Sequence, residues 1–119
     1  MLEIILPFPA SELMPNRKNG SHWGKTSKVK QETMKTCFYL TKEAMQGAKV
    51  IYRNTYPLQV EFIAADKRKR DLDNLLASAK CSLDAVAQAL GIDDRQFEPV
   101  TILRGYEKGK SCMKLKIGG

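Results

Sequence analysis

The stretch from residue 74 to residue 90 constrains the fold most, because it contains no glycine and no proline. Apolar side chains recur along it at helical spacing, at Leu72, Leu76, Ala79, Leu83, Val86 and Leu90. Such a row is typical of a helix that packs one face against a core. Gly91 follows at the position where helices commonly end on a left-handed residue. The sequence therefore predicts one amphipathic helix that ends at Leu90.

The residues before this helix alternate as a β-strand does, with an apolar face formed by Leu58, Val60, Phe62 and Ala64. The remaining pattern predicts a short strand at residues 2–6, a helix from a Ser27 N-cap to about Gly47, and a terminal hairpin of residues 100–106 and 112–117. With 119 residues, 43% of them hydrophobic, the chain has the size of one domain. We expect a single compact α+β domain over residues 1–119, with two main helices and a small mixed β-sheet of about four strands.

A basic run leads into acidic residues where the strand meets the helix. Four cations, Lys67 to Arg70, are followed by Asp71 and Asp73, and the whole chain has a net charge of +7. This charge favours an anionic partner such as nucleic acid. In an extended segment the two carboxylates would project to the same side and reach one ion, and oxygen ligands favour Mg²⁺ or Mn²⁺. The alternatives are a solvated basic loop and a helix that Asp73 caps.

Helical geometry adds further charged residues to this group. Lys80 and Asp84 follow Asp73 by seven and eleven residues, which places all three within about 20° of one line along a helix. A surface ion pair between Lys80 and Asp84 is the alternative. A second acidic pair, Asp93-Asp94, follows Gly91, and alone it is typical of a surface turn. One straight helix would be about 25 Å long, so this turn must fold back, or a neighbouring strand or subunit must complete the site.

The other residue types exclude several classes of site. Three cysteines lie far apart without a C-x-x-C motif, and His22 is the one histidine, so a Cys/His zinc site is excluded. We expect the cysteines to be reduced thiols. The sequence has no run of signal-peptide length and none that approaches a membrane span. We therefore expect a cytoplasmic protein with no membrane partner.

As an ordered set, residues 66–96 resemble the RusA family of Holliday junction resolvases, which are small phage and prophage endonucleases. The resemblance rests on the basic run, then Asp71-Leu72-Asp73-Asn74-Leu75, Lys80, Asp84-Ala85, Gly91, and Asp93-Asp94-Arg95-Gln96. The chain departs from the family pattern at Lys80, which follows Asp73 by seven residues where the family has four.

The resemblance implies a Mg²⁺-dependent nuclease of a bacterial host cytoplasm, with Mn²⁺ able to substitute. It implies that Asp71, Asp73 and Asp94 bind the metal, with Asp93 as a substitute for Asp94, and that Lys80 assists catalysis with support from Asn74 and Asp84. It also implies DNA contacts from Lys67, Arg68, Lys69 and Arg70. We expect the N-terminal loop, with Arg17 and Lys18, to contact the flanking DNA backbone as well. The expected partners are four-way junction DNA and a second copy in a homodimer, with no small-molecule cofactor. A nuclease of flaps or single strands, and a non-catalytic DNA-binding protein, are the alternative functions.

Overall fold

The computed structural model describes residues 2–13, 23–68 and 70–118. The strands and helices of these residues are β1 (Leu2–Leu6), α1 (Trp23–Met45), β2 (Tyr56–Ala64), α2 (Leu72–Ser78), α3 (Lys80–Leu90), β3 (Phe97–Tyr106) and β4 (Cys112–Ile117). Two short 3₁₀ turns lie at Ser11–Leu13 and Asp94–Gln96. The predicted α+β class with a small mixed sheet of four strands is confirmed for the described part of the chain. No helix in those three ranges is both long and apolar enough to cross a bilayer.

The four strands form one sheet in the order β1-β4-β2-β3. The pairs β1/β4 and β4/β2 are antiparallel, whereas β2 and β3 are parallel. The predicted terminal hairpin is therefore wrong, because β2 lies between β3 and β4. The turn signal at Gly109 is real, since its φ is +75°, but the connection crosses the end of β2. Its backbone is held there by a hydrogen bond from the Glu107 N–H to the Ala64 carbonyl, at 3.0 Å.

One face of the sheet carries the core in rows that run across three strands. The rows are Leu6–Met113–Phe62, Ile4–Leu115–Val60 and Leu2–Ile117–Leu58. They pack in one hydrophobic cluster with residues of α1 and α3, including Cys37, Val86 and Leu90. On β3 the same rows continue with Arg104, Ile102 and Val100, which are exposed or half-buried. The core therefore thins out at β3, and open clefts lie there.

Helix α1 begins at Trp23, so the prediction that Ser27 is its N-cap is wrong. A capping serine is a local signal worth about 1 kcal/mol, and the helical hydrogen bonding here extends past it. The predicted end is confirmed, because Gln46 and Gly47 follow Met45 with φ of +52° and +78°. A left-handed pair of this kind stops the helical ladder.

The single helix predicted for residues 74–90 is wrong, because the structure contains two helices that meet at Ala79. The helical ladder is disturbed there: the Ala79 N–H is shared between the carbonyls of Leu75 and Leu76, each at 3.1 Å. The buried Ser78 hydroxyl also donates to the Leu75 carbonyl at 2.7 Å. Such back-bonding by serine often bends helices. No glycine or proline lies at the break, so the sequence pattern predicted one continuous helix.

Candidate active site

Four of the charged residues singled out from the sequence line one open cleft of about 460 Å³. They are Asp73 from α2, Lys80 and Asp84 from α3, and Asp94 from the 3₁₀ turn that follows. The apolar part of the lining includes Leu58, Phe97 and Val100 of the sheet and Leu76, Ala77 and Leu83 of the helices. We call this the acidic cleft. It collects in one chain residues that lie up to 21 positions apart in sequence.

A tight reversal after α3 brings Asp94 into the acidic cleft. Gly91 is left-handed, with φ of +79°. Its N–H donates to the Gln88 carbonyl at 3.1 Å, and the Ile92 N–H donates to the Ala87 carbonyl at 3.0 Å. This bond pair is the Schellman motif, which turns the chain back over the end of a helix. Of the alternatives left by the sequence, the fold therefore realises the first: the acidic turn folds back within its own subunit.

The reversal places two carboxyl groups against each other. Asp84 and Asp94 are neighbours on the cleft lining, and burial, followed by the nearby Asp94 carboxyl, raises the pKa of Asp84. Lys80 and Lys30 act in the opposite direction. Lys30 belongs to α1 and is an exposed residue of that helix. The Asp84 carboxylate therefore has one like charge, Asp94, and two cations, Lys80 and Lys30, as neighbours. The like charge favours binding of a further cation or a proton at this pair of carboxylates.

The structure separates the roles of Asp93 and Asp94. Asp93 caps the 3₁₀ turn by accepting the Arg95 N–H at 2.9 Å, and its N–H donates to Gln96 Oε1 at 2.8 Å. The Arg95 guanidinium also contacts Asp93 Oδ2 at 2.9 Å. This side-chain bond to Arg95 is the main reason that the pKa of Asp93 lies well below its usual range. Asp93 is thus occupied as a cap outside the cleft lining, while Asp94 is on the lining.

The acidic turn is anchored to the loop before β2. Gln96 Nε2 donates to the carbonyls of Arg53 and Asn54, at 3.2 and 3.4 Å. The Tyr56 hydroxyl fixes the same loop, because it accepts the Arg53 N–H and donates to the Ile51 carbonyl, both at 2.9 Å. Through these bonds the start of β2 supports the position of Asp94.

Asp71 and Asp73 are placed differently from the sequence interpretation. Helix α2 begins at Leu72, so Asp71 occupies the N-cap position and Asp73 lies in the first helical turn. The alternative in which Asp73 caps the helix is therefore wrong, as is the premise that both residues lie in one extended segment. Asp71 makes no side-chain capping bond. Neither Asp71 nor the half-buried Asn74 is on the lining of the acidic cleft.

In residues 2–13, 23–68 and 70–118, no three His, Cys, Asp or Glu side chains are grouped closely enough to hold a metal ion. Asp73, Asp84 and Asp94 nevertheless line one cleft, and carboxylate oxygens are the type of ligand that Mg²⁺ takes. A three-carboxylate site would require the carboxylates of this cleft to come closer together than they lie in the described structure. The ligand set Asp71, Asp73 and Asp94 stays a prediction.

The basic run lies beside a second cleft, of about 420 Å³. Its lining combines cations with aromatic and apolar residues, namely Lys67, Arg68, Arg70, Arg104, Asp66, Phe8, Tyr106, Phe62, Ala64, Leu75 and Gly105. We call it the cationic cleft. Of the predicted DNA contacts, Lys67, Arg68 and Arg70 are on its lining, while Arg17, Lys18 and Lys69 lie outside the described residues.

The three described cations of the basic run are not equivalent. Arg70 is held by Asp66 at 3.0 Å, and its guanidinium carbon lies 5.6 Å from the centroid of the Phe8 ring. The Arg68 side chain is 79% exposed, and the Lys67 ammonium lies 5.3 Å from the centroid of the Tyr106 ring. Arg70 therefore has a structural role, and Lys67 and Arg68 are the more available cations.

Sequence reasoning missed Phe8, Arg104 and Tyr106 in the cationic cleft. Arg104 donates to the Arg70 carbonyl at 2.9 Å and so connects β3 to the basic run. The alternation of β3 contained a usable signal, since Arg104 and Tyr106 share the face of Val100 and Ile102. That signal needed the parallel β2/β3 pairing, which the hairpin prediction excluded.

Comparison with known proteins gives a relative without an assigned activity. The chain is 32% identical over 98 residues to an uncharacterized protein of Xylella fastidiosa (strain Temecula1 / ATCC 700964). The matched region is 82% of this chain and 63% of that protein, so the chain spans under two thirds of the length of its relative. No protein-family model matches the chain.

Proposed function

We propose that this protein is a Mg²⁺-dependent, structure-selective endodeoxyribonuclease that resolves Holliday junctions by paired nicks. The observation that carries the proposal is that Asp73, Lys80, Asp84 and Asp94 line a single cleft. Carboxylates beside a lysine are the groups that phosphodiester hydrolysis needs, for a metal and for the charge on the phosphate. The resemblance of residues 66–96 to the RusA family supplies the junction as substrate.

Each residue of the acidic cleft has a distinct role in this proposal. Asp73 and Asp94 hold Mg²⁺, with Asp71 as the third ligand implied by the resemblance and Asp84 as the third ligand favoured by its position beside Asp94. Bound Mg²⁺ supplies Lewis acidity and lowers the pKa of an attacking water. Lys80 begins α3 and is exposed at the cleft, where its ammonium can neutralise the scissile phosphate.

The cationic cleft and the basic run position the DNA through its backbone. Lys67 and Arg68 are exposed on the lining of this cleft. Arg17, Lys18 and Lys69 are the other cations expected to contact DNA. Contacts of this kind fix register without reading sequence. Because they act through phosphates, log K should fall by about 0.9 per phosphate neutralised for each tenfold rise in salt.

A homodimer and a cytoplasmic setting complete the proposal. The two-fold symmetry of a four-way junction suits a dimer in which the acidic cleft of each subunit cuts one of two opposing strands. β3 is an edge strand, and on its face opposite Val100 and Arg104 it leaves Leu103 41% exposed, as expected of a surface that a second subunit covers. Cys37, Cys81 and Cys112 are free thiols, which is typical of a reducing compartment. Light scattering on the purified protein tests the dimer directly.

The decisive experiment is a nicking assay on a synthetic four-way junction with each strand labelled in turn. We expect Mg²⁺-dependent nicks at symmetric positions in two opposing strands. Asp94→Asn and Lys80→Ala should lower the rate by about 100-fold or more, as loss of a group that stabilises the transition state does. Glu98→Gln, which changes an exposed carboxylate outside the cleft lining, is the matched control. Asp71→Asn and Asp84→Asn then decide which residue completes the metal site.

A non-catalytic DNA-binding protein is the second candidate. The structural role of Asp93, which caps the 3₁₀ turn, favours it. It predicts that the purified dimer binds the junction but makes no nick with Mg²⁺ or Mn²⁺. Metal-dependent cleavage of flaps or single strands, with intact junctions left uncut, would keep the enzyme and replace its substrate.

A further inference from the structure

The cationic cleft combines an apolar floor with a charged rim. Phe62, Ala64 and Leu75 are buried beneath it, and Lys67 and Arg104 are exposed at its edge. Its volume of about 420 Å³ falls in the range of small-ligand sites, roughly 300–1,000 Å³. A surface that only grips duplex phosphates needs cations but no apolar concavity. The cleft is therefore suited to a ligand with a planar ring as well as an anionic group.

Tyr106 is the aromatic ring of this cleft that is available to a ligand. It is 47% exposed at the end of β3. The Phe8 ring is already engaged, because it packs edge-on against Phe62 at 6.3 Å and lies under Arg70. The Lys67 ammonium lies over the Tyr106 ring, 5.3 Å from its centroid, but unlike Arg70 over Phe8 it is not held by a carboxylate of the described residues. A base that stacks on Tyr106 therefore uses the other face of the ring or displaces this lysine, and in both cases a cation lies beside it. Exposed aromatic side chains among cations are the platforms on which unpaired bases stack.

The cations near Tyr106 are available for an anion. Asp66 is the one carboxylate on the cleft lining, and it pairs with Arg70 at 3.0 Å and Arg68 at 3.8 Å. Lys67 and Arg104 form no ion pair with any carboxylate of the described residues. Arg104 is oriented by its bond to the Arg70 carbonyl, which leaves the rest of its guanidinium for a ligand. A ring site and an anion site therefore adjoin, which is the chemistry of a nucleotide.

We propose that the cationic cleft binds one unstacked nucleotide of a nucleic acid strand, with the base on Tyr106 and the phosphate between Lys67 and Arg104. That the nucleotide belongs to a nucleic acid strand, and is not a free nucleotide, rests on the proposed function. The course of β3 supports a continuous nucleic acid strand. Val100 of β3 lines the acidic cleft, and Arg104 and Tyr106, on the same face of β3, line the cationic cleft. Arg104 and Tyr106 follow Val100 by four and six residues, which in a β-strand is a distance of about 13–20 Å. The same distance corresponds to roughly four to six nucleotide steps of 3.4 Å each.

Binding of an unstacked base would give the protein a way to select branched DNA. A base at a branch point is easier to unstack than one within a duplex arm, because part of its stacking is already lost. Capture of such a base in the cationic cleft would fix the distance from the branch to the acidic cleft. The site of cutting is then set by the spacing along β3.

The test measures binding without metal, so it is independent of nicking. Fluorescence anisotropy compares a short oligothymidylate with the same oligonucleotide in which every base is replaced by an abasic sugar, at equal salt. The two have the same phosphates and differ only in their bases. We expect wild-type protein to prefer the oligothymidylate by at least about 5-fold, from stacking worth roughly 1–3 kcal/mol per base. Tyr106→Ala should remove this preference, and Tyr106→Phe should retain it.

Two further variants separate the contribution of the Tyr106 ring to binding from that of the Lys67 charge. Tyr52→Ala alters a tyrosine that is 81% exposed and outside the cleft lining, and it should keep the wild-type preference. Lys67→Gln should weaken both oligonucleotides equally and reduce the salt slope by about 0.7, the value for one phosphate of a single strand. Thermal unfolding of each variant confirms that the fold is retained.

Three outcomes would overturn the proposal. They are equal or undetectable affinity of wild type for the two oligonucleotides, an unchanged preference in Tyr106→Ala, and displacement of the oligothymidylate by an equal concentration of thymidine monophosphate. The last would assign the cleft to a free nucleotide. A protein that shows the preference but never nicks a junction refutes the proposed nuclease alone, and one that nicks without the preference refutes this inference alone.

Discussion

Removal of the Tyr56 hydroxyl should loosen the acidic turn, because Tyr56 and Gln96 bond the same loop. Tyr56 is 3% exposed, and its hydroxyl makes two hydrogen bonds of 2.9 Å to the loop at Ile51 and Arg53. Gln96 Nε2 bonds the same loop from the other side. Each such bond contributes about 1 kcal/mol net. We therefore expect Tyr56→Phe to lower the free energy of unfolding by about 1–2 kcal/mol and the Tm by roughly 3–8 °C.

Urea unfolding followed by circular dichroism measures this difference. Tyr52→Phe is the matched control, because Tyr52 lies in the same loop and is 81% exposed, so its effect should stay within about 0.5 kcal/mol. A double-mutant cycle with Gln96→Ala should show a coupling of at least about 0.5 kcal/mol, since both side chains bond one loop. If the proposed function holds, Tyr56→Phe should also slow nicking, because Asp94 is displaced.

Strict additivity in that cycle would refute the reasoning, since it would mean that the loop does not transmit the loss. So would a Tyr56→Phe protein as stable as the Tyr52→Phe control. In either case the position of Asp94 would have to be determined by the Gly91 reversal alone.

Three other substitutions test different parts of the structure. Leu115→Ala should lower the free energy of unfolding by about 2–5 kcal/mol in urea, because Leu115 is fully buried in the central strand and its loss leaves a cavity. Gly91→Ala should cost about 1–2 kcal/mol from its left-handed backbone alone, since an added Cβ meets no atom within 4 Å, and equal stability would contradict the reversal. Asp84→Asn should be more stable than wild type at pH 7 in EDTA. The pKa of Asp84 is raised above its ordinary value of 3.8, so its ionisation destabilises the fold above the raised pKa, and the difference should vanish as the pH falls toward that ordinary value.

The sequence was sufficient to predict element types but not their pairing. The alternation at residues 58–65 and the apolar row from Leu72 to Leu90 are local patterns, and they predicted β2 and the helical region correctly. Pairing is not local: the turn at Gly109 is the same whether it joins neighbours or crosses β2. The helix break at Ala79 was also invisible, because it depends on how Ser78 directs its hydroxyl.

The candidate site was predictable to a similar extent. Helical geometry grouped Asp73, Lys80 and Asp84 on the premise of one continuous helix, and the break at Ala79 contradicts that premise although all three line one cleft. The alternative of a reversal brought in Asp94. Lys30 could not be found, because its approach to Asp84 depends on the packing of α1 against α3. Arg104 and Tyr106 were missed because they join the basic run only through the parallel pairing of β3 with β2.

The central position of β4 has a consequence for how the chain folds during synthesis. β1 and β2 do not pair with each other in the described structure, and both pair with β4. Of the four strands described, the one that comes last in the sequence is therefore the one that joins the sheet together. While the ribosome has delivered only residues before 112, β1 has no hydrogen-bonded neighbour, and Ile4 and Leu6 cannot be buried between strands. The sheet must close after translation of β4, so nascent chains expose an apolar edge that is prone to aggregation or to chaperone binding.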